Sequence, residues 1–221
     1  MTKPLLPTSI FNLAKNDYDT PKIILGQPDA LLDTVNNHYP DLFSIYKRLR
    51  KLDWDELEFD FSSCLTDFET CDKSTYDMMF KTLIWQWEAD SIAARKFISI
   101  IASFVTDSRV WGGENRISEN ECIHGFTYSE IVRNSFTNPN EIMDEVAKVT
   151  EAHERMKVVS WVLDEAHTAA NEYNLGIRKN DQDLHDIAYL FFNAVYMFER
   201  IQFMASFAVT YYICNTGLLQ P

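Results

Sequence analysis

The chain has 221 residues, 46% of them apolar and 14% aromatic, which is ample for one core of ordinary domain size. Six Gly and seven Pro are few, so long regular elements are expected rather than many turns. The formal charge of -13, from 20 basic and 33 acidic residues, argues against a nucleic-acid backbone as partner and permits an acidic surface that meets a protein.

Residues 1 to 38 hold four of the seven prolines and little periodicity, and read as an extended arm without the apolar core of a signal peptide. A helical domain is expected from residue 39 to residue 221. Pro40 sits where a helix would start, and Leu42, Ile45, Tyr46, Leu49 and Leu52 make its apolar stripe. Trp54 follows, and Leu57, Phe59 and Phe61 alternate briefly as an extended link. Ser74 is placed to cap a long helix reaching about Ala102. On that helix Leu83, Trp87, Ala94 and Phe97 surround Asp90, a carboxylate in the middle of an apolar face. Asp90 is either a ligand or a short polar residue hydrogen-bonded to a neighbouring helix.

Gly112-Gly113 is expected to break the chain before a helix that runs to about Asn134. That helix carries Ile117, Glu121, His124, Tyr128 and Ile131 on one stripe, since residues three and four apart share a face. A carboxylate, an imidazole and a phenol on an apolar stripe are costly to bury unless they bind something. Glu121-x-x-His124 is the spacing by which one helix gives two ligands to a carboxylate-bridged metal pair. Chance placement on a surface helix is the bland alternative. Asn138-Pro139-Asn140-Glu141 signals another helix start, with one helix expected through to Tyr173. A last long helix is expected from near Asp183 to Gly217, with Phe192, Val195, Phe203 and Phe207 flanking a second inward carboxylate, Glu199.

The fold class read from this pattern is all-α, a long-helix bundle of the ferritin-like kind. Asp90, Glu121, His124 and Glu199 form a hard, carboxylate-rich donor set that suits iron or manganese better than zinc. Cys64, Cys71, Cys122 and Cys214 show no C-x-x-C pair and read as free thiols. The apolar run from Leu184 to Cys214 is interrupted by Asp186, Glu199 and Arg200, which suits a buried helix better than a membrane span. A cytoplasmic location without membrane contact is expected. Asp164-Glu-Ala-His167 lacks an accompanying phosphate-binding loop and reads, with His38, His153 and His185, as a solvated surface group.

Four stretches resemble, in register, the small radical-generating subunit of class I ribonucleotide reductase, bacterial or phage type. They are Leu-Asp-Trp (52–54), Ala-Asp-Ser-Ile (89–92), Glu-Cys-Ile-His-Gly-Phe-Thr-Tyr-Ser-Glu-Ile-Val-Arg-Asn (121–134) and Phe-Glu-Arg-Ile-Gln-Phe-Met-Ala-Ser-Phe (198–207). The resemblance runs from about Tyr39 to the last residue. It implies a dinuclear iron centre, with manganese as the other choice, held by Asp90, Glu121, His124 and Glu199. It implies a stable radical on Tyr128, packed by Phe203 and Phe207, and a radical route through Trp54 to a large catalytic subunit. The family also has a second Glu-x-x-His helix beyond the position of Glu199, which this sequence does not contain. The expectation is therefore the N-terminal portion of a split or truncated small subunit, completed by a C-terminal fragment and forming a homodimer once reconstituted. A different ferritin-like dimetal oxidase or oxygenase, and a metal-free interaction fragment, are the competing readings.

Overall fold

The computed structural model describes residues 22–26, 32, 34–35, 38–146 and 148–220. Among them the regular elements are helical: α1 (Pro40–Leu49), a 3-10 turn (Glu56–Glu58), α2 (Cys64–Thr70), α3 (Lys73–Phe104), α4 (Ser108–Ser135), α5 (Pro139–Val146), α6 (Thr150–Asn174), α7 (Gln182–Met197), a π-helical segment (Phe198–Gln202) and α8 (Phe203–Asn215). The all-α expectation holds. Most of the expected extended arm lies outside the described residues. Its described part pairs with the end of α3, where Ile24 and Val105 form an isolated antiparallel bridge and Leu25 N–H donates to the Phe104 carbonyl at 2.7 Å.

Several helix limits differ from the sequence expectation. Gly112 and Gly113 do not break the chain; α4 starts earlier, at Ser108, and runs through both. Its start is set by Asp107, whose Oδ1 accepts from the backbone N–H of Arg109 at 2.8 Å and of Val110 at 3.2 Å. Two interior glycines cost about 1 kcal/mol each relative to alanine, which a 28-residue helix absorbs through packing. Asp72, rather than Ser74, caps α3, its Oδ1 accepting from Ser74 N–H at 2.9 Å and Thr75 N–H at 3.1 Å. The single helix expected from 138 to 173 is two, α5 and α6. The interruption falls in a stretch where Val146, Val149 and Thr150 are β-branched and lower helix propensity. The link after Trp54 contains a 3-10 turn closed by a capping box between Asp55 and Glu58, then α2. The stripe expected on α1 is not buried.

The chain divides into two compact units. The first comprises residues 1–53, 94–119 and 161–193. Its core sets the fully buried Phe191 edge-on to Phe97 and Phe104, with centroids 6.3 and 6.5 Å apart. Asn174 Nδ2 donates to Ser103 Oγ at 2.8 Å and ties the end of α6 to α3. The second unit comprises residues 54–93, 120–160 and 194–221. Phe68, Met79, Leu83, Val132 and Ile213 form its buried apolar cluster, against which Tyr128 and Ile131 of the α4 stripe pack. Burying each such side chain contributes roughly 1.5–3 kcal/mol, so this cluster fixes α4 against α3 and α8. No helix among the described residues is long and apolar enough to cross a membrane.

Candidate metal centre

The expected site residues Trp54, Asp90, Glu121, His124, Tyr128, Glu199, Phe203 and Phe207 all fall in the second unit. Asp90 comes from α3, Glu121, His124 and Tyr128 from α4, and Glu199 from the π-helical segment. The ligand atoms of Asp90, Glu121 and His124 all lie within 4.8 Å of one another. His124 Nδ1 is 3.0 Å from Glu121 Oε2 and 3.6 Å from Asp90 Oδ2. The i,i+3 spacing accounts for the first contact, since one helical turn stacks the two side chains. The second needs α3 and α4 to meet. Glu199 lines the same cavity, of about 340 Å³, together with Trp54, Thr127, Tyr128, Phe203 and Phe207.

Glu199 sits in an irregular turn that no local sequence signal marks. The Phe203 N–H donates to the Phe198 carbonyl, closing a wide π turn around it. One inserted residue rotates the flanking faces by roughly 100° relative to each other, the angle one residue subtends in a helix. The apolar stripe of α7 and that of α8 are therefore not one continuous stripe, unlike the single helix expected from Asp183 to Gly217.

Asp90 and Glu121 are 4% and 8% exposed. Burial drives the Asp90 carboxyl far above the ordinary carboxylate range, and the adjacent charges of Glu121 and Glu199 push it further. Burial, then Glu121, raises Glu199 to about 7. Burial, reinforced by Asp90 and Glu121, lifts the Tyr128 phenol well above its usual value, so the ring is held as neutral phenol. Three carboxylates and one imidazole around one cavity, with burial opposing their negative charge, make a site whose unmet requirement is positive charge. A di- or trivalent cation with a preference for oxygen and some nitrogen fits these residues.

A pH dependence follows. The Glu199 carboxyl has a folded value of about 7 against an ordinary 4.5. A carboxyl raised in the folded state binds its proton more tightly there, so its contribution is full at low pH and is lost as pH rises through that window. Between pH 4.5 and 7 the metal-free chain should lose about 3 kcal/mol from this group, at about 1.4 kcal/mol for each unit. Urea midpoints of metal-free protein at pH 5 and 7.5 measure it, and a midpoint that rises with pH would contradict the assignment. Bound cation should reverse the slope, since it competes with protons for the same oxygens.

Trp54, which the sequence placed off any ligand stripe, stacks on His124 with centroids 5.6 Å apart and planes at 24°. Phe59 meets the Trp54 ring edge-on at 5.3 Å. Phe203 is 2% exposed and lies 5.7 Å from Phe207, so both expected aromatic neighbours border the cavity. Thr127 was overlooked, although its position three residues after His124 places it on the same face. Its hydroxyl donates back to the Ile123 carbonyl at 2.8 Å. Asp164 is exposed and outside the cluster, as expected. His153 is not merely solvated: its Nε2 approaches Glu88 Oε1 at 3.4 Å. The four cysteines are free thiols, also as expected.

Residues 32–221 match the family model described as ribonucleotide reductase, small chain. The chain is 23% identical to the ribonucleoside-diphosphate reductase subunit beta of Buchnera aphidicola subsp. Acyrthosiphon pisum, over 96% of this chain and 59% of that protein. It is 20% identical to the ribonucleoside-diphosphate reductase 1 subunit beta of Escherichia coli O157:H7, over 95% of this chain and again 59% of that protein. The structure of the ribonucleotide reductase R2 subunit from Clostridium botulinum superposes with a TM-score of 0.81 at 18% identity, covering 98% of this chain and 64% of that one. That likeness shows the fold. The chain spans about three-fifths of the length of the curated relatives it matches.

Proposed function

This chain belongs to the ribonucleotide reductase small-chain family, and on that premise we propose that it is the N-terminal part of a class I ribonucleoside-diphosphate reductase small subunit. The observation that carries the reading is the group Asp90, Glu121 and His124, its two carboxylates buried and its imidazole half-buried, with Tyr128 lining the same cavity. Asp90, Glu121, His124 and Glu199 would hold a dinuclear iron centre, or a manganese one, because hard oxygen donors with a little imidazole suit either ion. When bound, that centre supplies dioxygen reduction coupled to one-electron oxidation of Tyr128.

The chain's own residues then have separate tasks. Tyr128 is the electron donor and, as a neutral phenol, gives up its proton together with the electron. Phe203 and Phe207 wall the cavity and keep water and reductants from the resulting radical. Trp54, stacked on His124, connects the centre to a large catalytic subunit that reduces the ribonucleotide. That stack favours a reductase subunit over a self-contained ferritin-like oxidase, which would have no use for an aromatic relay there.

Four donors surround the cavity, and a full dimetal set of this kind asks for a second Glu-x-x-His pair. We assign that pair to polypeptide outside these 221 residues, the C-terminal part of the small subunit, and the completed subunit to a homodimer. The chain purified alone should accordingly hold fewer than two metal ions, and addition of a fragment bearing the second pair should raise the content to two. Two tightly held ions in the isolated chain would defeat this assignment.

The relay is tested by Trp54→Phe in the completed subunit paired with the large subunit. Metal content and the Tyr128 radical should be unchanged, while ribonucleotide reduction falls by at least about 100-fold, a loss of some 2.7 kcal/mol in transition-state terms. Full reductase activity in that variant would place the route elsewhere.

A further inference from the structure

Trp85 is a second oxidisable ring near the centre, and its electrostatic surroundings are the opposite of those around Tyr128. It is 2% exposed on α3, and its ring centroid is 5.0 Å from Phe203, which borders the metal cavity. The guanidinium of Arg155, on α6, lies over the Trp85 ring with its central carbon 3.8 Å from the centroid. Arg155 is fixed in place: Nη1 donates to Ser206 Oγ at 3.1 Å and Nη2 to the Gln202 carbonyl. Gln202 Nε2 donates back to the Arg155 carbonyl at 3.3 Å. The Trp85 Nε1–H is buried and has no acceptor among the described residues.

A cation over an indole face stabilises the neutral, electron-rich ring and opposes the positive charge that forms when an electron leaves it. An indole radical cation ordinarily relaxes by losing the proton on Nε1, and the Trp85 Nε1–H has no hydrogen-bond partner among the described residues to take it. Tyr128 instead lines a cavity bordered by Asp90, Glu121 and Glu199, with no arginine or lysine among its described lining residues. We propose that Arg155 is a positioning residue that withholds Trp85 from oxidation, so that the oxidising equivalent goes to Tyr128. The assignment of Tyr128 as the intended donor rests on the function proposed above; the protection of Trp85 does not. In the intended reaction dioxygen is the oxidant, and Tyr128 contributes one electron and its phenolic proton to the water formed. A metal centre held by Asp90, Glu121, His124 and Glu199 would, together with an external one-electron reductant, supply the other three electrons that reduction of dioxygen to water requires. In the side reaction Trp85 loses one electron, and the charge stays on an indole pressed against a guanidinium.

The test uses the whole metal-free chain and azide radical as an external oxidant, each radical taking one electron and becoming azide ion. Oxygen-adduct formation at Trp85 is measured by peptide mass spectrometry relative to Trp161, which is 58% exposed and serves as internal standard. Arg155→Met removes the cation, and Arg155→Lys keeps a positive charge with a comparable loss of hydrogen bonds. The Trp85 to Trp161 ratio should rise at least fivefold in Arg155→Met and stay within twofold of the parent in Arg155→Lys. Equal ratios in all three proteins would overturn the proposal, as would equal rises in both variants, which would mean that opened packing and not charge is responsible. In the completed subunit, metal-loaded and exposed to oxygen, Arg155→Met should shift part of the radical signal from phenoxyl to indole, and adding Trp85→Phe should abolish the indole part. An indole-free phenoxyl signal of parental amplitude in Arg155→Met would also overturn it. If no radical forms in the parent subunit completed with its C-terminal part, the proposed function fails while the azide experiment still decides the role of Arg155.

Discussion

Tyr128→Phe should abolish any stable radical in metal-loaded, oxygen-exposed protein while leaving metal content unchanged. The phenol lines the cavity that Asp90, Glu121 and His124 also border, yet it is not one of the three clustered donors. Burial and the two neighbouring carboxylates hold the ring protonated, so electron and proton must leave together. Phenylalanine keeps the packing against the Met79, Leu83 and Val132 cluster and removes only the oxidisable oxygen. The loss should be complete, because no other tyrosine among the described residues lines that cavity. Electron paramagnetic resonance before and after substitution measures it, and a signal of undiminished amplitude would move the radical to another residue.

Glu121→Gln should produce two effects of opposite sign. The amide retains an oxygen to face His124 Nδ1, which is 3.0 Å from the carboxylate in the parent, but it removes one negative charge from the centre. Metal affinity should fall by at least about 100-fold, the upper end of what losing even a supporting partner of a ligand costs. The metal-free protein, by contrast, should gain on the order of 2 kcal/mol, since Asp90 no longer faces a second buried carboxylate. A gain in stability joined to a loss of binding marks residues kept for function at the expense of the fold. A variant that loses metal and stability together would instead make Glu121 a structural residue.

The stripe Ile117, Glu121, His124, Tyr128 and Ile131 was legible because it depends only on helical periodicity, and the structure puts Glu121, His124 and Tyr128 on one cavity. Asp90 and Glu199 were legible as carboxylates inside apolar faces, and they border the same cavity. Three features were not legible. The π turn around Glu199 is a backbone response to packing and has no periodic signature. The Trp54–His124 stack joins residues seventy positions apart, and periodicity reports only local neighbours. The cation over Trp85 likewise joins α3 to α6, and in sequence Arg155 is one more charge on a polar helix. The start of α4 was misplaced because the Gly112-Gly113 pair is a stronger local signal than the Asp107 cap ahead of it.

The central claim is that Asp90, Glu121, His124 and Glu199 surround a metal. Its most direct test is anomalous diffraction at the iron edge from crystals of the chain loaded with ferrous iron. The account predicts an anomalous peak bounded by the carboxylates of Asp90 and Glu121 and the Nδ1 of His124, on the side of the cavity facing Glu199. A fully loaded crystal with no peak there, or with its iron bound only elsewhere, such as beside Glu88 and His153, would contradict it.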